Sequence, residues 1–96
     1  MTTQNPITNP IVVLHEEFDD WAVLFNPDTA EAVGINPVGV EVWKLMDGSN
    51  DFEMIVAEVK ETFDGVPESV VDEIKAFVSD LKERGFIGYE LDQAGG

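Results

Sequence analysis

The chain of 96 residues contains no cysteine, which excludes disulfide bonds and thiolate metal sites as supports for its fold. Histidine is nearly absent too: His15 is the single one, and a lone histidine in a strand is more often a surface residue than a ligand. No serine stands beside a potential base in a recognisable catalytic motif. We therefore expect a protein that is not an enzyme, that needs no cofactor or metal, and that is stabilised by packing.

Long apolar segments are also missing. The apolar runs at residues 11–14 and 22–25 are far shorter than the roughly 20 residues that a membrane-spanning helix needs. The first ten residues contain neither a basic residue nor the apolar stretch of a signal peptide. The sequence therefore predicts a cytoplasmic protein with no membrane partner.

Positive charge is scarce. Five Lys and Arg residues face 20 Asp and Glu residues, which gives a net charge of −15, and no cation precedes Lys44. Nucleic-acid affinity depends on cations that neutralise phosphates, so we expect no nucleic-acid partner, and an anionic membrane would be repelled as well. The acidity either keeps the domain soluble and monomeric or suits a basic partner, and both explanations can hold.

The first half of the chain has the pattern of a small sheet. Short apolar segments at residues 12–16, 21–25 and 31–35 predict three strands. Turns are predicted at residues 18–20 and at Asn26-Pro27. Sequential strands with short connections favour an antiparallel meander.

The second half changes to a helical period. Asn36-Pro37 is typical of a helix start, and Gly48 of a helix end. A second helix is predicted to be capped by Asn50 and to end at Gly65, and a third to span residues 67–84.

These elements predict an α+β fold that resembles a winged helix-turn-helix, with a three-stranded antiparallel sheet followed by a three-helix bundle. Residues 86–89 could add a short extended segment. We expect a single domain at residues 11–91, with flexible tails at residues 1–10 and 92–96.

The third predicted strand is a candidate binding edge. In a meander it has one unpaired side, and it lacks the lysine or proline that usually protects such an edge. Gly34 would allow close approach of another backbone, or would mark a bulge. Added strands bind through main-chain hydrogen bonds, so the predicted peptide-binding residues here are Glu31, Ala32, Val33, Gly34 and Ile35.

The third predicted helix has an apolar flank beside its core stripe. The core stripe consists of Val70, Ile74, Phe77 and Leu81. A second line lies roughly 90° round the helix and contains Val71, Lys75, Val78 and Lys82. The two valines either widen the core or form the floor of a groove whose lysines pair with ligand carboxylates. The second interpretation predicts that Val78→Asp weakens peptide binding without unfolding the domain.

Two other functions fit parts of the sequence. A winged-helix DNA-binding regulator shares the fold, but its recognition helix should carry surplus cations, whereas residues 67–84 carry more carboxylates than cations. An acyl carrier protein would have its modified serine at a helix start, as in Glu68-Ser69-Val70. That serine comes late in the chain, however, and three strands precede it, which is unlike a helical carrier protein.

Three segments carry a family resemblance. Residues 21–27 (WAVLFNP), 34–39 (GINPVG) and 42–48 (VWKLMDG) resemble PqqD-like proteins, the recognition elements for ribosomally synthesised and modified peptides. The hydrophobic spacing of the later helices agrees, so the resemblance covers about residues 11–89. Residues 32–38 are similar to the broad PqqD-like group rather than to proteins of the pyrroloquinoline quinone pathway itself.

The resemblance implies a function. It implies a non-catalytic peptide chaperone that binds the leader of a precursor peptide as an extra antiparallel strand on the third strand, packed against the third helix. It also implies delivery of that precursor to a maturation enzyme, often a radical S-adenosylmethionine enzyme. The implied cleft coincides with the one inferred from the strand edge and the helix flank.

Overall fold

The computed structural model describes residues 3–17 and 19–92. The turn predicted at residues 18–20 is therefore described only at Asp19 and Asp20, which both have positive φ, and residues 93–96 of the predicted second tail lie outside the description. The described elements are β1 (Thr3–Thr8), β2 (Val13–Glu16), β3 (Ala22–Asn26), β4 (Glu31–Ile35), α1 (Pro37–Leu45), α2 (Phe52–Thr62), α3 (Val70–Glu83) and β5 (Ile87–Asp92). The predicted fold class is confirmed: a three-stranded antiparallel sheet precedes three helices.

The three-stranded sheet has the order β2-β3-β4 and is antiparallel throughout. Its two-residue alternation buries Ala22 and Leu24 of β3 beneath the helices and leaves Phe25 exposed on the opposite face. The β3–β4 hairpin turns as predicted at Asn26-Pro27. The Asn26 side-chain oxygen accepts a hydrogen bond from the Asp28 amide at 2.9 Å, which fixes the turn.

The helix boundaries follow local capping. The Asn36 side chain accepts a hydrogen bond from the Gly39 amide at 2.8 Å, as its predicted role as a cap requires. The cap of α2 is Asp51 rather than Asn50, because the Asp51 carboxylate accepts from the Met54 amide at 2.8 Å. Asn50 instead donates to the Leu45 carbonyl and thereby holds the end of α1.

The N-terminal segment is the main departure from the sequence prediction. Residues 1–10 were expected to be a loose tail, yet Thr3–Thr8 forms β1 and pairs with β5 as a second, two-stranded antiparallel sheet. The Thr8 amide also donates to the Met46 carbonyl at 3.0 Å, and the Gly48 amide donates to the Pro6 carbonyl at 3.1 Å. These backbone bonds tie β1 to the α1–α2 connection.

The hydrophobic core lies between the three-stranded sheet and the helices. Leu24 from the sheet, Val42 from α1, Ile55 from α2 and Leu81 from α3 are all fully buried. Phe86, which follows α3, is fully buried as well and connects the core to β5. All three helices pack on one face of the sheet, and α1 and α3 are the two that lie beside β4.

Candidate functional site: a groove between an edge strand and the last helix

The edge of β4 is open. Among the described strands β4 pairs only with β3, so the backbone N–H and C=O groups on its other side have no partner strand there. Each β4 residue faces one β3 residue, from Ala22 opposite Ile35 to Asn26 opposite Glu31. This continuous register means that Gly34 does not form a bulge, and the edge is straight enough to accept another strand.

A groove of about 330 Å³ runs along this edge. One wall is β4, the base is the first half of α1, and the other wall is α3. Its half-buried apolar residues are Phe77 of α3, Val33 of β4 and Val38 of α1, whereas Ile74 and Ile35 line it but are buried. Such a groove can hold an extended peptide that forms backbone hydrogen bonds with β4 and directs alternate side chains towards α3.

Gly39 allows the base of the groove to approach both walls. An added Cβ at this position would lie 3.1 Å from the Ile35 Cβ and 3.5 Å from the Phe77 Cζ. The first of these distances is tighter than ordinary van der Waals contact, so a side chain here would displace a wall or fill the groove. Glycine therefore sets the position of α1 relative to β4 and α3.

An ion-pair cluster closes one end of the groove. Arg84, at the end of α3, donates from Nη1 to Glu31 of β4 at 3.0 Å and from Nε to Asp80 at 2.9 Å. The hydrogen bond to Asp80, with the attraction of Asp80 and then of Glu31, raises the pKa of the Arg84 guanidinium above its ordinary value. The cluster links α3 to β4, and its one guanidinium neutralises the charge of one of its two carboxylates.

Glu73 lies at the other end of the groove. It is exposed, lines the groove, and accepts a hydrogen bond from the Ser69 hydroxyl at 3.2 Å. It has no ion-pair partner within residues 3–17 and 19–92. Its position on α3 is about 16 Å from Arg84, at ~1.5 Å of rise per residue, so Glu73 lies beyond the reach of that guanidinium.

The structure corrects the predicted helix flank. Val78 is only 5% exposed and belongs to the core. Val71 is half-buried and lines a separate cavity of about 300 Å³ with Phe52 and Val56 of α2. The alternative in which these valines widen the core is the one that the packing supports, and the Val78→Asp experiment would bury a carboxylate rather than probe a ligand.

The predicted lysines also lie away from the groove. At ~100° per residue, Lys75 and Lys82 are placed about 150° round α3 from Phe77, and both are exposed on the side away from β4. The groove wall carries the carboxylates of Glu73 and Asp80 instead. Of the predicted peptide-binding residues, only Val33, Gly34 and Ile35 line the groove.

Several groove residues escaped the sequence prediction. The sequence placed Phe77 in the core stripe of the third helix and predicted no binding role for Glu73, Asp80 or Gly39. A helical wheel already places Glu73, Phe77 and Asp80 within about 60° of one another. The sequence therefore showed that these three side chains share one flank of the helix, but no local sequence pattern indicated that this flank faces β4.

Three other kinds of site are absent from the described residues. Within the described part of the chain, no group of three or more His, Asp or Glu side chains could hold a metal ion. No helix there is both long enough and apolar enough to cross a bilayer. The outer face of α3 mixes Lys75 and Lys82 with Asp72 and Glu83, so it does not present the cationic surface that phosphate binding requires.

The fold has close counterparts among solved structures. The structure titled "TbiB1 in Complex with the TbiA(beta) Leader Peptide" superposes with a TM-score of 0.68 at 23% identity, over 84% of this chain and 93% of that one. The heterocyclase TruD superposes with a TM-score of 0.66 at 16% identity, over 92% of this chain but 12% of that one. These similarities define the class of fold, a small winged-helix-like domain that also occurs within a larger enzyme chain.

The sequence comparisons identify the family. A sequence model described as "Coenzyme PQQ synthesis protein D (PqqD)" matches residues 22–87. The "PqqA binding protein" of Rhizobium meliloti (strain 1021) is 31% identical over 74 residues, which cover 76% of this chain and 74% of that protein. The chain belongs to the PqqD family, as the resemblance of its three segments indicated.

Proposed function

We propose that this protein is a peptide chaperone that binds the leader segment of a precursor peptide and has no catalytic activity of its own. The observation that carries the proposal is the open β4 edge facing the apolar wall of α3 across a groove. The leader would add as a fourth strand, antiparallel to β4, and would place the side chains of one of its faces against the α3 wall that contains Phe77. The name of the Rhizobium meliloti relative and the leader peptide in the TbiB1 structure support a peptide as the ligand.

The proposed partner of the loaded chaperone is a maturation enzyme, specifically a radical S-adenosylmethionine enzyme. The occurrence of a similar fold within the heterocyclase TruD supports an enzyme as the partner, because there the domain and the enzyme share one chain. The radical S-adenosylmethionine class comes from the family resemblance alone. Anaerobic reconstitution with and without this protein, followed by mass spectrometry of the precursor, tests the partner separately from peptide binding.

Peptide binding can be tested without a known precursor. A display library of random 15-residue peptides is selected on the immobilised protein, and the best peptide is then added to the protein during amide hydrogen exchange. We expect protection of β4 amides, because every second residue of an edge strand directs its N–H outwards until a partner strand covers it. The amides of β2, the other edge of the same sheet, are the internal control and should exchange as before.

Two results would contradict strand addition at this groove. One is a selection that yields no peptide with reproducible affinity. The other is protection that falls on α2 near Val56, beside the second cavity, while β4 stays unprotected. Gly34→Pro, which removes one donor from the edge, should abolish the protection if Gly34 donates outwards, and otherwise should disrupt β4 itself.

A further inference from the structure

The charge distribution along the groove contains information about the ligand. At one end, Glu31 and Asp80 are already paired with Arg84. At the other end, the Glu73 carboxylate has only the Ser69 hydroxyl as a polar partner within the described residues. A carboxylate without an ion-pair partner can pair with a cationic group of a ligand, and no existing ion pair has to break.

The spacing of the groove wall matches the spacing of a strand. Phe77 lies four residues beyond Glu73 on the same flank of α3, which is about 6 Å along the helix axis. Side chains on one face of a strand recur every second residue, at about 6.7 Å. A strand with a cation opposite Glu73 would therefore have its next side chain on that face opposite Phe77.

The direction of the added strand fixes the order of these two side chains. The Arg84–Glu31 pair joins the end of α3 to the start of β4, so Glu73 lies towards the end of β4, near Ile35 and Asn36. A strand antiparallel to β4 enters the groove at that end. Its residue opposite Glu73 therefore precedes its residue opposite Phe77.

We propose that Glu73 selects the peptide: the groove takes an extended segment in which Lys or Arg stands two residues before a large apolar residue. The apolar side chain packs on Phe77, the ammonium or guanidinium group pairs with Glu73, and the side chain between them points away from α3. This inference rests on the proposed function, since it describes what the same groove binds. It makes the ligand cationic at this point, opposite in sign to the carboxylate ligand predicted from Lys75 and Lys82.

The test compares peptide selections on three proteins. The random 15-residue library is selected on the wild-type protein, on Glu73→Gln and on Asp72→Asn. Asp72 is the matched control because it lies in the same first turn of α3, loses the same charge on substitution, and does not line the groove. Any preference for basic peptides that comes merely from the net charge of −15 would change equally in both variants.

We expect the wild-type and Asp72→Asn pools to be enriched in Lys or Arg two residues before an apolar anchor, and the Glu73→Gln pool to lose that enrichment. For one selected peptide and its Lys→Gln counterpart, the wild-type preference for lysine should be roughly two- to fivefold at low salt, as for other exposed ion pairs, and should vanish in Glu73→Gln. A wild-type pool without the basic residue, or an equal loss in both variants, would overturn the inference. Selected peptides that leave β4 amides unprotected would instead overturn the proposed function.

Discussion

Val78→Ala tests the corrected packing of α3 most directly. Val78 is 5% exposed, so truncation to alanine removes two buried carbon atoms, worth about 1.6 kcal/mol at ~0.8 kcal/mol each. The residual cavity of roughly 50 Å³ adds about 1.2 kcal/mol at ~24 cal/mol per Å³. The higher helix propensity of alanine offsets about 0.5 kcal/mol. The net expected loss in the free energy of unfolding is about 2 kcal/mol, which corresponds to a fall in Tm of roughly 8–16 °C for a domain of this size.

The assay is urea unfolding in the absence of peptide, followed by tryptophan fluorescence. Trp43 in α1 is 8% exposed, so its emission should report the loss of packing. Lys75→Ala is the control on the same helix, because an exposed substitution should change stability by less than about 0.5 kcal/mol. A Val78→Ala protein that loses less than about 1 kcal/mol but binds selected peptides weakly would refute the reasoning, since Val78 would then face the ligand.

Three further predictions concern local structure. Gly34→Ala should raise the free energy of unfolding by about 0.5–1 kcal/mol, because an added Cβ meets nothing within 4 Å and the unfolded chain loses freedom; a destabilised variant in urea unfolding would contradict this. Asp51→Ala should cost about 1 kcal/mol through the lost cap of α2, and an unchanged urea midpoint would show that the cap is not needed. Hydrogen bonding from the Ser49 hydroxyl lowers the pKa of Asp47 in the folded protein below its usual 3.8. The ionised carboxylate therefore stabilises the folded state above about pH 4, and this stabilisation is lost as the pH falls through the lowered pKa. The stability difference between the wild-type protein and Asp47→Asn should therefore be constant from pH 5 to 7 and shrink below about pH 4; a difference that grows on acidification would contradict the assignment.

Local patterns predicted most of the fold. The two-residue alternation around Leu24 and the Asn36 cap identified β3 and the start of α1, because each depends on residues close together in sequence. The strand Thr3–Thr8 was missed for the opposite reason. It is rich in polar residues, contains Pro6, and becomes a strand only by pairing with β5, whose residues lie 79 to 89 positions further along the chain.

The sequence predicted the strand edge of the candidate site but not its helix wall. The open edge of Glu31–Ile35 follows from strand order, which short connections determine. The helix wall does not, because a helical wheel gives the angles between side chains but not the rotation of the helix relative to the sheet. The sequence favoured the apolar flank of Val71 and Val78, whereas the contact between Arg84 and Glu31 shows that the other flank of α3 faces β4.

The pairing of β1 with β5 has a consequence for how this fold can be transplanted. Thr3 stands directly opposite Asp92, so the first and last described residues leave the domain side by side. A domain whose two ends lie close together can be inserted into a surface loop of a host protein without separating the two sides of that loop. The same geometry offers a practical route to a circularly permuted version, in which a short linker joins the two strands and new ends are opened at the turn after Asn26.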